Sequence, residues 1–438
     1  MLTAFRNAFR IHDLRNKILF TLFIFALYRL GSTIPVPGAD LQAISDFADQ
    51  AEQSGFVGLL NLFSGGALTQ LSIFALGIMP YITSSIILQL LTVVIPKLQA
   101  LQEDGETGRK VITQWTRYVT VILALLQSTG FAYLFHSGQF SNGIDLIPDF
   151  TPRTVIVVVI TMTAGTALLM WMGELITQRG IGNGMSLIIF VSIISQIPSQ
   201  LVVLNTNSAT YQFVVIVSIM IALTIGIIFI EQGQRRIPVQ FSKRVRGRKV
   251  MGGQSTYIPL KVNMAGVIPV IFATSIMYFP ALIASALPPT GWGAGIRDWI
   301  NINMLSTSGG HGGGFSPSLW YIGILALLVV FFTYFYTAIQ FDPERQAEMI
   351  QRQGGFIPGI RPGRATVNYL SHVLARITLP GAMYLALVTI LPSLFGWFWN
   401  VPVGLSGVSI IIVAGVALET SKQIESQLTM RNYEGFLS

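Results

Sequence analysis

The sequence predicts an all-α protein that crosses a membrane about ten times. Hydrophobic residues make up 52% of the 438 residues and charged residues only 11%, whereas a soluble domain carries about 25% charge. The apolar residues fall into runs close to the roughly 20 residues that a membrane-crossing helix needs. The predicted spans cover residues 18–34, 71–95, 118–135, 154–171, 185–204, 213–230, 264–287, 319–341, 366–394 and 403–418.

The basic residues support this number of spans. If the N-terminus is cytoplasmic and the loops alternate, nearly all of the 27 Lys and Arg residues lie on the cytoplasmic side. The exceptions are Arg153 and Arg297 in outside loops, and Arg29 and Arg376 near span ends. Because basic loops stay in the cytoplasm, we expect both termini there. The net charge of +8 suits anionic lipid headgroups and requires no DNA partner.

Ten spans divide into two halves of five, residues 1–204 and 205–438. Because five is odd, the second half enters the membrane from the opposite side. This permits the inverted repeat that is common in transport proteins. No internal sequence repeat is visible, so the two pseudo-symmetric halves are an expectation from span parity alone.

The second predicted span lies in a stretch, residues 56–95, that contains no charged side chain. The segment before this stretch is acidic, with Asp40 and Asp49, and the segment after it is basic, with Lys97 and Arg109. These flanks should lie on opposite sides of the membrane, so the number of crossings between them is odd. One crossing uses about 20 residues. The remaining residues of this stretch are therefore apolar but do not span the membrane.

The surplus part is residues 56–70. Phe56, Leu60, Phe63 and Ala67 recur there at helical spacing and give one apolar face. The run Ser64-Gly65-Gly66 would break a helix or let it pack closely. The residues alone are typical of a re-entrant or interfacial helix.

The predicted spans lack the groups of an enzyme or of an ion-coupled carrier. Their interiors contain no Asp or Glu, and Glu174 and Glu231 lie at cytoplasmic ends. A coupled carrier usually needs an ionisable group near the midplane. This weakens a secondary transporter of a small solute, which stays the alternative function. The chain has no Cys and no His-Glu-x-x-His helix, so we expect no enzyme activity, metal or cofactor.

Two cytoplasmic loops are longer than membrane orientation requires. The first, residues 232–261, is rich in Arg and Lys, and the second, residues 341–364, contains four Arg and three Pro. Loops of this length usually carry function or are disordered. A dense basic surface suits a phosphate-rich or acidic partner such as ribosomal RNA. The expected partner-binding residues are Arg235, Arg236, Lys243, Arg244, Arg246, Arg248, Lys249 and Arg361.

Several loop and helix motifs resemble those of the SecY family of protein-conducting channels. They are GSTIPVPG (31–38), FSGGAL (63–68), FALGIMPYI (74–82), GIGNG (180–184), QGQRRI (232–237), PLKVNMAGVIP (259–269) and PGIRPG (358–363). The resemblance covers essentially the whole chain. It implies a subunit that passes unfolded secretory polypeptides across the bacterial cytoplasmic membrane and releases hydrophobic segments sideways into lipid.

The resemblance assigns roles to particular residues. It makes residues 56–70 a short plug helix before the second full span, with Asn61, Phe63, Ser64, Gly65, Gly66 and Leu68 as plug residues. It also implies a narrow apolar ring, which closes a channel to ions by dewetting. The ring residues are Ile78, Ile82, Met185, Ile189, Ile271 and Ile412. For any one of them, ordinary core packing is the alternative interpretation.

The resemblance also implies a lateral gate between the second and third spans on one side and the seventh and eighth on the other. The predicted polar contacts of this gate, which could equally be ordinary helix-packing contacts, are Thr83, Ser84, Ser85, Gln89 and Asn263. Such contacts contribute about 1–2 kcal/mol or less each, which is weak enough to open.

The partners implied by the resemblance supply what the chain lacks. The sequence has no nucleotide-binding motif, so the driving force should come from a SecA-type ATPase motor or a translating ribosome. SecE-like and SecG-like small membrane subunits, preproteins with signal sequences and anionic lipids complete the expected partners. A scaffold or insertase without a pore is a third possible function.

Overall fold

The computed structural model describes Phe9, Asn61 and residues 11–51, 63–136, 145–241, 244–246, 249–251, 255–287, 292–300, 319–399 and 407–437. The helices are α1 His12–Gly31, α2 Leu41–Ala51, α3 Met79–Val94, α4 Pro96–Glu103, α5 Glu106–His136, α6 Pro152–Arg179, α7 Gly184–Asn207, α8 Thr210–Gln232, α9 Ile268–Ala286, α10 Trp292–Ile300, α11 Leu319–Gln340, α12 Pro343–Arg352, α13 Arg364–Trp399 and α14 Gly407–Leu437. The strands are β1 Gln234–Phe241, β2 Arg244–Arg246, β3 Lys249–Met251, β4 Ser255–Lys261 and β5 Gly355–Phe356.

The helices confirm a polytopic membrane fold. Within the described residues, 7 helical stretches are long and apolar enough to cross a membrane, or 8 if the bent pair α3 and α4 counts as one. Helices α1 and α9 occupy the positions of the first and seventh predicted spans. Every predicted span thus has a helix, while the count of ten crossings stays a prediction.

The second span starts later than the sequence predicts, at Met79 instead of residue 71. Gly77 has a φ of 59°, in the left-handed region that interrupts a helix. Pro80 lies in the first turn of α3, where its missing N–H is harmless. Pro96 then starts α4, which leaves α3 at an angle of 101°. In the described part of residues 56–95, α3 is therefore the one helix of near-spanning length, as the charge parity predicts.

The helices pack as two halves that meet along two seams. In the first half α3 packs on α5, α5 on α6 and α6 on α7, and in the second half α9, α11, α13 and α14 pack in sequence. One seam joins α7 to α8 and α14. The other, called the gate seam below, joins α9 to α3 and α5.

The two basic loops form one folded unit, which the sequence analysis did not predict. Strands β4, β1 and β5 make an antiparallel sheet in which Gln240 of the first loop pairs with Phe356 of the second. Alternate residues Ile237 and Val239 are buried, together with Ile350 of α12 and Leu370 of α13. This shared apolar core holds both loops together, and we call the unit the cytoplasmic platform.

Candidate functional site

One apolar cluster, called the central cluster below, connects the two halves. It contains buried side chains from α1, α3, α6, α7, α8, α9, α11, α13 and α14. All predicted ring residues belong to it. Ile78, Ile189, Ile271 and Ile412 are buried members, and the half-buried Ile82 and Met185 pack against them. The structure thus brings together residues that are more than 300 positions apart in the sequence.

Met185 has a second environment within this cluster. A Cβ placed on Gly173 of α6 would lie 2.5 Å from the Met185 sulfur, so the side chain rests against the neighbouring helix. Its flexible thioether fills the groove that Gly173 leaves. Met185, one of the predicted ring residues, therefore also takes part in packing between α6 and α7.

The described part of the predicted plug (56–70), which is Asn61 and residues 63–70 and is called the plug segment, folds against the central cluster. Phe63 and Ala67 are buried members of the cluster, whereas Leu68 packs in a separate cluster with Phe47. The helical turn ends at Ser64, and Gly65 and Gly66 follow with φ angles of 67° and 90°. Residues 56–60, where Phe56 and Leu60 lie, are outside the described part of the chain.

Asn61 ties the plug segment into a compact turn. Its backbone carbonyl accepts from the Gly66 N–H at 3.0 Å. Its side-chain oxygen accepts from the Thr69 N–H at 3.3 Å and from the Thr69 hydroxyl at 3.2 Å. These bonds satisfy polar groups that would otherwise be buried without partners.

Tyr28 and Arg29 of α1 also touch the plug segment, and the sequence analysis did not place them at the site. The Tyr28 hydroxyl donates to the Ser64 carbonyl at 2.8 Å, and the Arg29 guanidinium donates to the Gly65 carbonyl at 2.8 Å. A charged residue within a membrane helix is by default a sign of function. Applied to Arg29, this rule could have identified the residue as part of the site from the sequence alone.

The predicted gate residues lie beside the gate seam, but their hydrogen bonds stay within one half. The Ser84 hydroxyl lies 2.8 Å from the Thr116 carbonyl and 2.7 Å from the Thr120 hydroxyl, both on α5. The Asn263 amide donates to Glu231 at 2.5 Å. Each of these donors is satisfied by a neighbour in its own half, and a role of these residues at the gate stays a prediction.

The remaining gate predictions differ in burial. The Thr83 hydroxyl donates to the Met79 carbonyl of its own helix at 2.9 Å. Ser85 is half-buried and Gln89 is exposed. Of the predicted gate residues on α3, Thr83 and Ser84 are thus held in the helix packing, and Gln89 is accessible.

An ion pair does cross between the halves at the end of the gate seam that is predicted to be cytoplasmic. Arg345 of α12, which follows α11, lies 2.5 Å from Glu103 of α4, which follows α3. Arg345 also lies 3.2 Å from Asp342. Both side chains are more than half exposed, at 57% and 52%. Exposed pairs of this kind contribute about 0–1 kcal/mol.

The cytoplasmic platform presents some of the predicted partner-binding residues to solvent. Arg235, Arg236 and Arg361 are exposed, and the Arg236 guanidinium stacks 4.8 Å above the Tyr257 ring. The β2–β3 hairpin carries the positions of Arg244, Arg246 and Lys249. Lys243 and Arg248 lie outside the described residues. Among the residues searched, no group of three or more His, Cys, Asp or Glu side chains is placed to hold a metal.

The fold and the central cluster define a class: a polytopic helical membrane protein with a buried apolar cluster that joins its two halves. Residues 72–421 match the family model for SecY. The chain is 51% identical to the protein translocase subunit SecY of Streptomyces scabiei and 48% identical to that of Mycobacterium tuberculosis, with 100% of each chain covered. The chain therefore belongs to the SecY family. Membership in this family favours the function of a protein-conducting channel over that of a small-solute transporter.

Solved structures show the same fold. A structure of a protein conducting channel matches with a TM-score of 0.60 at 18% identity, covering 94% of this chain and 92% of the other. A structure concerned with the SecY plug domain matches at 0.61 and 19% identity, with the same coverage. Sec61 in a canine ribosome–channel complex matches at 0.59 and 16% identity, again over 94% and 92%. At these identities the likeness supports the fold.

Proposed function

We propose that this chain is the channel subunit of a protein translocase and that unfolded polypeptides pass through the central cluster. The observation that carries the proposal is the gathering of the predicted ring residues from α3, α7, α9 and α14 into that cluster, beside the plug segment. An extended polypeptide cannot cross lipid, because each unsatisfied backbone group costs several kcal/mol in hydrocarbon. It needs a path through the protein.

The same path must stay closed to ions when it is empty. An apolar constriction does this because it dewets and offers no charge to bind ions. The proposed ring residues present only aliphatic and thioether surfaces. Phe63 and Ala67 of the plug segment add a second layer of apolar contact. The proposed seal thus consists of a ring and a plug.

The gate seam is the proposed exit into lipid. It is formed where α9 meets α3 and α5, which are the helices that the resemblance assigns to the gate. An apolar segment arriving there could replace apolar helix contacts with its own at little net change, since lipid and leucine side chains are similarly apolar. The exposed pair Glu103–Arg345 would add a weak contact at the cytoplasmic side.

The cytoplasmic platform is the proposed docking surface for a translating ribosome or a SecA-type motor. Its exposed Arg235, Arg236 and Arg361 support this, because guanidinium groups bind phosphate and carboxylate in a bidentate manner. The Sec61 neighbour is itself part of a ribosome–channel complex. Small membrane subunits are proposed to pack on the outer helices, of which α8 is the least buried candidate span. We further propose the cytoplasmic membrane as the location, with both termini inside.

Replacing ring residues tests the proposal. The variant combining Ile82→Gly, Ile189→Gly and Ile271→Gly should raise ion leakage through the reconstituted channel, because glycine leaves the constriction wide enough to hydrate. The matched control replaces Ile122, Ile156 and Ile160 of α5 and α6, which are 57%, 58% and 58% exposed, by glycine. The control should leave conductance at the wild-type level. Unchanged conductance in the ring variant, and in each single Ile→Gly variant, would contradict the ring assignment.

A further inference from the structure

The plug segment accepts hydrogen bonds from α1, and the α1 donors are themselves hydrogen-bonded to α7. Tyr28 is 1% exposed, and its hydroxyl lies 2.8 Å from the Ser64 carbonyl and 2.6 Å from the Ser192 hydroxyl of α7. A carbonyl can only accept, so Tyr28 donates to Ser64 and can accept from Ser192. The result is a short chain of hydrogen bonds from α7 through α1 to the plug segment.

The next residue of α1 makes a parallel contact. The Arg29 guanidinium donates to the Gly65 carbonyl at 2.8 Å and to the Ser195 hydroxyl of α7 at 3.4 Å. Consecutive residues of α1 therefore hold consecutive carbonyls of the plug segment. These carbonyls lie where the helical turn ends, and the last carbonyls of a helix lack partners within it.

The two glycines make this close approach possible. A Cβ on Gly65 would lie 2.6 Å from the Tyr28 hydroxyl, and a Cβ on Gly66 would overlap the Gln196 amide nitrogen of α7. Both glycines also have a φ that L side chains rarely adopt. The plug segment is thus shaped to fit between α1 and α7.

We propose that Tyr28, Arg29, Ser192 and Ser195 form a polar latch that positions the plug segment in the closed channel and sets how readily it leaves. The latch rests on the proposed function, because it takes the plug segment to be part of the plug. It adds directional bonds to a contact that is otherwise apolar, through Phe63 and Ala67. Apolar packing alone leaves the depth and rotation of the plug weakly specified, whereas hydrogen bonds to two carbonyls fix both.

The latch is built to open reversibly. When the plug segment leaves, Tyr28 keeps Ser192 as a partner, and the exposed Arg29 keeps Ser195 and gains water. The freed Ser64 and Gly65 carbonyls move with the plug into the aqueous path. No buried polar group is stranded on α1 or α7, so release avoids the penalty for an unsatisfied buried donor.

The test uses the full channel with its membrane partners in proteoliposomes. The chain has no native cysteine, so Ala67→Cys, at a position that is fully buried in the plug segment, reports plug displacement through labelling by a membrane-impermeant maleimide. Adding Tyr28→Phe should raise the labelling rate and the resting ion leak about tenfold, as expected for loss of one buried hydrogen bond. Arg29→Gln should also raise the labelling rate and the ion leak. Arg29→Lys keeps a donor and a positive charge, so its labelling rate should lie close to that of the wild type.

The matched control is Tyr118→Phe, which removes a hydroxyl whose hydrogen bond, accepted from the Gln114 amide at 2.9 Å, stays within α5. It should leave labelling and leak unchanged. Should Tyr28→Phe fail to assemble, Arg29→Gln carries the same test, because the Arg29 side chain is exposed. If both latch variants showed wild-type labelling and leak while the ring triple variant leaked, the proposed latch would be overturned. The proposed channel function would still stand. Absence of leak in the ring triple variant would instead count against the proposed function.

Discussion

The plug segment and the gate seam are closed by different kinds of contact. The plug segment is held by directed hydrogen bonds from Tyr28 and Arg29, in addition to apolar packing. The gate seam is a contact of α9 with α3 and α5, with the exposed pair Glu103–Arg345 at the end that is predicted to be cytoplasmic. Directed hydrogen bonds specify one geometry, whereas the contacts described at the gate seam are helix packing and an exposed ion pair, which we propose can separate.

The two contacts also differ in which parts of the chain they join. Every latch residue and the plug segment itself lie in the first half, within residues 1–204. The gate seam joins the first half to the second. Separating the halves would therefore leave the latch bonds in place. Gate opening and plug release are then separable steps, and each prediction below perturbs one of them.

The largest effect is expected from locking the gate seam. Glu103→Cys with Arg345→Cys, joined by a short bifunctional thiol reagent, should abolish nearly all export while the resting seal stays intact, because the latch is untouched. Export of a secretory polypeptide and ion leak are measured on the same vesicles. Ser128→Cys with Thr163→Cys is the control, because these hydroxyls lie 3.3 Å apart within one half. Undiminished export in the cross-linked channel would contradict a mobile seam.

A smaller effect, on the seal alone, is expected from Gly66→Ala. The substitution places a Cβ against Gln196 and forces a left-handed backbone at a cost of about 1–2 kcal/mol. The resting leak should rise about tenfold or more. The matched control is Gly105→Ala, because Gly105 also has a positive φ, 73°, but nothing lies within 4 Å of an added Cβ. Equal leak in the two variants would show that backbone strain alone is responsible and that the plug is not fitted to α7.

The smallest effect is expected from the ion pair on the gate seam. Glu103→Arg and Arg345→Glu should each raise the rate of lateral release by up to about fivefold, because an exposed pair contributes at most about 1 kcal/mol. The double variant should recover part of the wild-type rate, and the resting leak should stay constant throughout. A change in the resting leak would show that the gate seam and the latch are coupled, which would contradict separate gate opening and plug release.

Much of the fold follows from local sequence properties. Apolar run lengths and the distribution of Arg and Lys predicted the position of every helix that corresponds to a span. The start of α3 was misplaced because hydropathy does not register backbone angles, and residues 71–78 are apolar but not helical. The sheet of the cytoplasmic platform was missed although Ile237 and Val239 alternate with polar neighbours, since its third strand comes from a distant loop.

The candidate site was predictable only in part. The placement of the ring residues in one cluster agrees with the residues named from motifs, although their role stays a prediction. The partners of Ser84 and Asn263 could not be read from sequence, because a short polar side chain bonds whichever helix happens to pack beside it. The contacts of Tyr28 and Arg29 with the plug segment could not be predicted from the sequence for a similar reason. Their partners are backbone carbonyls of the plug segment, and carbonyls carry no sequence signal.

The central claim is that a polypeptide in transit passes through the central cluster. A photoreactive amino acid at Ile82 tests it most directly, with a secretory polypeptide stalled midway and the same probe at Ile160 of α6, which is 58% exposed, as control. A covalent adduct between Ile82 and the polypeptide, with none at Ile160, is the predicted result. No adduct at Ile82, or equal adducts at both positions, would contradict the account.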